Sequence, residues 1–477
     1  MLAAHDPLAA KSKTPVGPAM ISAKDKQVGA KAHPEILAEF GGLYEAPQAA
    51  YVTRVGQKIA FQSGLANSQS DFTVSLLNSS VNNAFAIPGG YVYVTRQLMG
   101  LMNNEAELAS VLGHEVGHVA AQHSKKRNSR ATMGGLGAMA ATILGSVLMG
   151  DEGAKLGQQV GGSIAQGWVL KFSRAQEYEA DDLGISYLNK AGYDTLASST
   201  MLYSLAQQTA LDLRRAGKTG STLPEWASTH PDPASRVVRA EQKATTIGGK
   251  GRVQNRDAFI ATLDGMMYDD DPKQGVVDGQ IFKHPDLKLT FSAPTGYVLN
   301  NGTAAVTVSG SGGQAQFSGG AYTGDMNAYV GNVFKAVGGT TTTLNFGSVS
   351  RTTINGLPVG FASATTATQS GQVTVTVYAY EFANNSAFHI LSISPAASAS
   401  PFTSLVQSVR RLTADEVAAI RPRKIDVITV RSNDTLKSVS ERMAYSDFKL
   451  ERFLVLNGLK ANDVLKSGQK VKIIVYG

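Results

Sequence analysis

Between residues 104 and 127 apolar side chains return every three or four positions. Leu108, Val111, Leu112, Val116 and Val119 form one stripe, the mark of a helix with a buried face. Asn104 stands before it as a cap, with Glu107 at the position that completes a capping box. The same spacing predicts helices over 173–190, opened by a second capping box from Ser173 and Gln176, and over 195–215. Residues 72–77 (FTVSLL) and 91–95 (YVYVT) read as strands, the second introduced by the turn Pro88-Gly89-Gly90. Beyond about residue 282 the pattern changes to alternation. Residues 373–382 (VTVTVYAYEF) alternate strictly, Asn384-Asn385-Ser386 is a turn, and 388–394 return as a hairpin partner, with a short helix near 402–411. The C-terminal stretch runs strand–helix–helix–strand over 426–430, 435–443, 450–457 and 471–475.

These elements predict an α+β, multidomain chain. A polar tail covers 1–30, a mainly helical domain with a small sheet 31–250, and a linker 251–281. An antiparallel β-rich domain follows over 282–412, and a βααβ unit over 424–477 lies behind the basic linker 421–424 (RPRK). At 477 residues and 43% hydrophobic composition the chain can bury several cores. The net charge of +7 is spread thinly and no dense basic run occurs, so a dedicated nucleic-acid binder is excluded. Cysteine is absent, which removes disulfides, thiol catalysis and cysteine-held metals; any metal must be bound by histidine and carboxylate. No apolar run behind a basic head is visible near residue 1, so no signal peptide is read there. The uncharged stretch 131–150 is too rich in glycine for a good span. It reads as a loose or amphipathic helix near the active site, able to lie against a membrane.

The chemistry concentrates in His114-Glu115-Val116-Gly117-His118. Histidines four apart on a helix point the same way and can share one ion, while Glu115, one step round, is placed to take a proton from water. Two imidazoles and a carboxylate in the apolar middle of a helix would cost several kcal/mol if they lacked partners, and a metal supplies them. A tetrahedral zinc then needs a third protein ligand, with the fourth place kept for water. On the 173–190 helix Glu177, Asp181, Gly184 and Leu188 share one face. That makes Glu177 the better ligand, Asp181 the partner of a histidine ring N–H, and Glu179 a surface charge.

Four stretches resemble the zinc metallopeptidases related to HtpX and the CAAX prenyl proteases, in their soluble bacterial envelope branch. They are NNAFAIPGGYVYVTRQLM (82–99), NEAELASVLGHEVGHVAAQH (104–123), FSRAQEYEADDLG (172–184) and STHPDPASRV (228–237). The resemblance implies a zincin-like catalytic domain, one Zn2+ per chain, and Glu177 as third ligand. It also implies that Asn83, Ala84 and Phe85 form a strand edge that pairs with an extended substrate. His230 and Arg236 fall in its T-H-P…R motif. His230 would serve as an oxyanion stabiliser or as a latch on the fourth zinc position. Without the family, His230 is a turn residue and Arg236 a surface charge or a structural partner to a carboxylate. The opening of the β-rich domain, FKHPDLKLTFSAPTGY, resembles PsbP-like domains and assigns no function. VITVRSNDTLKSVSERM and FLVLNGLKANDVLKSGQKVKI resemble a LysM-type module, a fold associated with N-acetylglucosamine polymers.

The expected function is a zinc-dependent endopeptidase of the bacterial cell envelope or periplasm, with Glu115 and His230 catalytic and His114, His118 and Glu177 on the metal. Its expected partners are unfolded or misassembled proteins, with a peptidoglycan contact through the LysM-like unit and a peripheral membrane contact near 131–150. The alternative is a non-catalytic or latched envelope protein, chaperone-like or glycan-binding.

Overall fold

Ser22 accepts the Asp25 backbone N–H and opens the first helix, α1 (Ala23–Glu39), in the computed structural model. The structure describes residues 20–126, 172–215, 230, 233–338, 343–368 and 371–477. Helix α1 thus begins inside the stretch expected to be a polar tail. Its Gly29 lies so close to the 88–90 turn that a Cβ there would stand 2.1 Å from the Pro88 carbonyl oxygen. Ala32 and Ile36 pack with Phe40, Phe85 and Tyr93.

Helix α2 (Pro47–Phe61) leads to three strands, β1 (Thr73–Leu77), β2 (Ala84–Ile87) and β3 (Tyr91–Thr95). They form a sheet ordered β1-β3-β2, with β1 parallel and β2 antiparallel to β3, so among the described residues β2 is an edge strand. Among the described residues the main helices that follow are α3 (Arg96–Leu101), α4 (Glu105–Ala120), α5 (Arg174–Lys190), α6 (Ala197–Arg215) and α7 (Pro233–Ile247). The predicted 104–127 helix is broken. It ends at Ala120, Gln122 takes a left-handed φ of 55°, and a short turn of helix restarts over His123–Lys126.

Residues 251–281, read as a linker, belong to the core. Helix α8 (Arg256–Leu263) buries Phe259, Ile260 and Leu263, and β4 (Met267–Tyr268) pairs with the C-terminal unit. Eight residues of helix leave too few repeats for a periodicity to be read.

The β-rich region forms a seven-stranded antiparallel sheet whose middle contains the predicted hairpin, Gly371–Ala383 with Ser386–Pro395. Alternation sends Val375 and Val377 to the face covered by the helix Met326–Gly338, and Tyr380 and Phe382 to the face packed on Phe282 and Phe402. In the C-terminal unit Arg423–Thr429 and Lys470–Tyr476 pair antiparallel, and β4 joins as a third strand. Its Ile425, Val439, Phe453 and Ile473 lie in the same hydrophobic core as Val55, Leu108 and Leu112 of the helical domain. Among the described residues no helix is long and apolar enough to cross a membrane. The 131–150 segment lies outside them.

Candidate metal centre

Two capped helices build the site. Asn104 accepts the Glu107 backbone N–H at 2.9 Å, while the Glu107 carboxylate reaches one residue further back than a capping box requires, to the Asn103 N–H at 2.7 Å. Ser173 and Gln176 form the full box that starts α5. The helices cross where side chains are smallest. A Cβ on Gly184 would stand 3.0 Å from the His114 backbone nitrogen, and one on Gly117 3.1 Å from the Ala180 carbonyl oxygen. This close approach lays the Glu177–Asp181 face of α5 on the His114–His118 face of α4.

The structure brings His114, His118, Glu177 and His230 together, all buried, with one donor atom from each within 4.8 Å of the others. His114 Nε2 lies 3.0 Å from His118 Nε2 and 3.5 Å from Glu177 Oε2, and His118 Nε2 lies 3.4 Å from Glu177 Oε1. His230 Nδ1 is 3.4 Å from His114 Nε2 and 3.2 Å from Glu177 Oε2. Ligand atoms held ~2.0–2.1 Å from a tetrahedral zinc lie about 3.3 Å apart, so the spacing suits that ion. The buried Glu177 Oε1 has no hydrogen-bond partner among the described residues, as a ligand oxygen facing a metal would have none. Burial opposes the charge on Glu177, yet His230, His114 and His118 hold its carboxyl well below the usual range.

Further partners orient these donors. Asp181 Oδ1 lies 2.9 Å from His114 Nδ1, as the shared face predicted. Arg236, fully buried, grips Asp181 with two bonds of 2.7 and 2.9 Å and reaches Glu177 at 2.6 Å. It is a structural partner to carboxylates rather than a surface charge. Burial works against ionisation of Asp181, but Arg236 and His114 hold its carboxyl far below the usual range.

Residues 46–244 match the model of Peptidase family M48, and residues 428–473 match the LysM domain. The chain carries an M48 peptidase domain and a LysM domain. It is 30% identical over 229 residues to the beta-barrel assembly-enhancing protease of Yersinia pestis, covering 46% of this chain and 44% of that protein. It is 30% identical over 222 residues to the same-named protease of Escherichia coli (strain K12), covering 44% of this chain and 42% of that protein. The mitochondrial metalloendopeptidase OMA1 of Schizosaccharomyces pombe is 28% identical over 223 residues, covering 46% of this chain and 60% of that protein. The chain thus spans less than half the length of the bacterial relatives it matches. Zinc is the cofactor that both the M48 family and this donor set call for.

Within the M48 domain Glu115 is fully buried, and neither carboxylate oxygen has a hydrogen-bond partner among the described residues. Burial pushes its carboxyl up from the usual range, with His230 and His114 opposing the rise. Its Oε1 lies 3.7 Å from His230 Nε2, which is also 3.3 Å from the carbonyl oxygen of Ala84 on the edge strand β2. Asn83 and Phe85 flank that carbonyl. The Phe85 side chain packs with Ile36 and Phe40 and stacks on Tyr93 at 4.9 Å.

Two residues escaped the sequence reading. His123, fully buried, lies with Nδ1 2.8 Å from His118 Nδ1, and Phe172 stacks on the His118 ring at 3.8 Å. Glu179, expected as a plain surface charge, reaches His123 Nε2 at 3.1 Å although half-exposed. The signal for His123 was a fifth-residue spacing that a continuous helix would have aimed elsewhere.

Proposed function

We propose that the chain is a zinc-dependent endopeptidase that cuts unfolded or misassembled proteins in the bacterial envelope. One observation carries the reading: a buried donor cluster at tetrahedral spacing with a second buried carboxylate, Glu115, one step round the same helix and without a hydrogen-bond partner among the described residues. In this reading His114, His118 and Glu177 hold the zinc, and Asp181 and Arg236 fix His114 and Glu177. The edge of β2 at Asn83, Ala84 and Phe85 takes an extended substrate by main-chain pairing. Zinc held by these residues would supply Lewis-acid chemistry, polarising a scissile carbonyl and lowering the pKa of a water. Glu115 accepts the proton from that water and later delivers it to the leaving amine. The envelope assignment draws support from bacterial relatives named for β-barrel assembly and from the LysM domain, which would contact peptidoglycan.

The test is turnover of unfolded casein by the full chain, with and without a chelator. Cleavage should be slow, lost to the chelator and restored by zinc. Absence of cleavage by zinc-loaded chain, both wild type and His230→Ala, would leave the non-catalytic alternative standing.

A latched resting state is favoured by the position of His230. Its Nδ1 lies among the donor atoms and its Nε2 against the Ala84 carbonyl, so the ring would fill the fourth zinc position and shield the substrate edge at once. His230→Ala is then expected to raise turnover at matched zinc content. A fall of ~10²–10³-fold would instead make His230 an oxyanion donor.

A further inference from the structure

We infer that His123 and Glu179 are positioning residues for His118, fixing which of its ring nitrogens faces the metal. The inference rests on the zinc reading above. His118 enters the donor cluster through Nε2, so Nε2 must keep its lone pair and the neutral ring carries its proton on Nδ1. That N–H points at His123 Nδ1, 2.8 Å away, which must therefore accept. The proton of His123 is then on Nε2 and is donated to Glu179 Oε2 at 3.1 Å. The opposite order would set two N–H groups or two lone pairs against each other in a buried place, which is costly.

The backbone is shaped for this contact. Five residues along an α-helix amount to about 140° of rotation, so an unbroken helix would carry His123 away from His118. The break after Ala120 and the left-handed Gln122 fold it back, and the ring ends up fully buried. The Gln176 side chain, from the opposing helix, also approaches the His123 carbonyl oxygen at 3.5 Å. On the other side Phe172 stacks on His118 with ring planes 20° apart, so the imidazole is held in plane as well as in tautomer. The two motif histidines are thus oriented by different means. His114 faces a carboxylate directly, whereas His118 faces a neutral imidazole with a half-exposed carboxylate behind it.

The experiment is zinc affinity of the full chain, measured by competition with a chromogenic chelator, with near-UV circular dichroism as the check on folding. His123→Ala should weaken zinc binding by ~10–100-fold. His123→Asn should recover most of that loss, because its amide oxygen can accept the His118 Nδ1–H. Glu179→Ala, which removes the acceptor of the His123 Nε2–H at a half-exposed position, should lose less than His123→Ala but measurably more than a surface control such as Glu241→Ala. Folded His123→Ala with wild-type affinity, or His123→Asn as weak as His123→Ala, would overturn the inference. Should His123→Ala fail to fold, Glu179→Ala indistinguishable from the control would overturn it too. A wild-type chain that takes up no zinc fails the functional proposal itself, whereas tight wild-type binding unaffected by these variants fails this inference alone.

Discussion

Glu115→Gln is expected to keep its zinc and its fold while losing peptide hydrolysis by at least ~10²–10⁴-fold, the contribution typical of a positioned proton acceptor. Burial already keeps this carboxylate away from solvent, and neither oxygen holds a hydrogen bond that the fold depends on among the described residues. The amide has the same shape, so the donor cluster on the neighbouring positions should stay in place. Steady-state cleavage of a peptide substrate, with zinc content by elemental analysis, measures both halves of the expectation. Activity near that of the wild type at full zinc occupancy would remove Glu115 from the proton-transfer role.

Lys472→Ala should destabilise the whole protein by about 2–5 kcal/mol, because two buried carbonyl oxygens lose their donor at ~1–3 kcal/mol each. Lys472 belongs to the LysM domain yet is fully buried against the M48 domain. Its ammonium donates to the carbonyl oxygens of Gly100 at 2.8 Å and Met102 at 2.6 Å, at the C-terminal end of α3. Such carbonyls have no partner within their own helix. Burial pulls the Lys472 ammonium down to about 7, with the Glu107 carboxylate pulling the other way. Glu107 in turn sits in the first turn of α4, the helix that bears His114 and His118, and is tied to Asn103 and to Thr200. Deleting the ammonium would leave the carbonyls of Gly100 and Met102 without their donor just before the helix that bears His114 and His118. Urea denaturation followed by zinc content and casein cleavage is the measurement. A midpoint unchanged from wild type would show that the LysM domain is an appendage rather than part of the same core.

Local patterns are legible in this chain. The stripe on α4, the Ser173–Gln176 box and the 371–395 hairpin depend on residues two to four apart or on one turn, and such patterns lie open in a sequence. The short buried helix α8 and the break at Gln122 did not announce themselves. The first has too few repeats, and the second is a backbone conformation with no glycine to mark it.

The site divides in the same way. Residue types and spacings carry the expected chemistry: without cysteine the donors of any metal are histidine and carboxylate, the four-residue spacing pairs His114 with His118, and the small face of α5 puts Glu177 and Asp181 on one side. How the remaining groups meet depends on contacts far apart in the chain. His230 reaches the cluster across 116 residues of chain, Arg236 clamps two carboxylates, and His123 folds back beneath His118. The same holds for Lys472, which lies 370 residues beyond the carbonyl of Met102 that it satisfies. The reason is physical: helical periodicity is a property of neighbours, whereas these contacts exist because burying a polar group demands a partner, and only the folded chain shows which one is within reach.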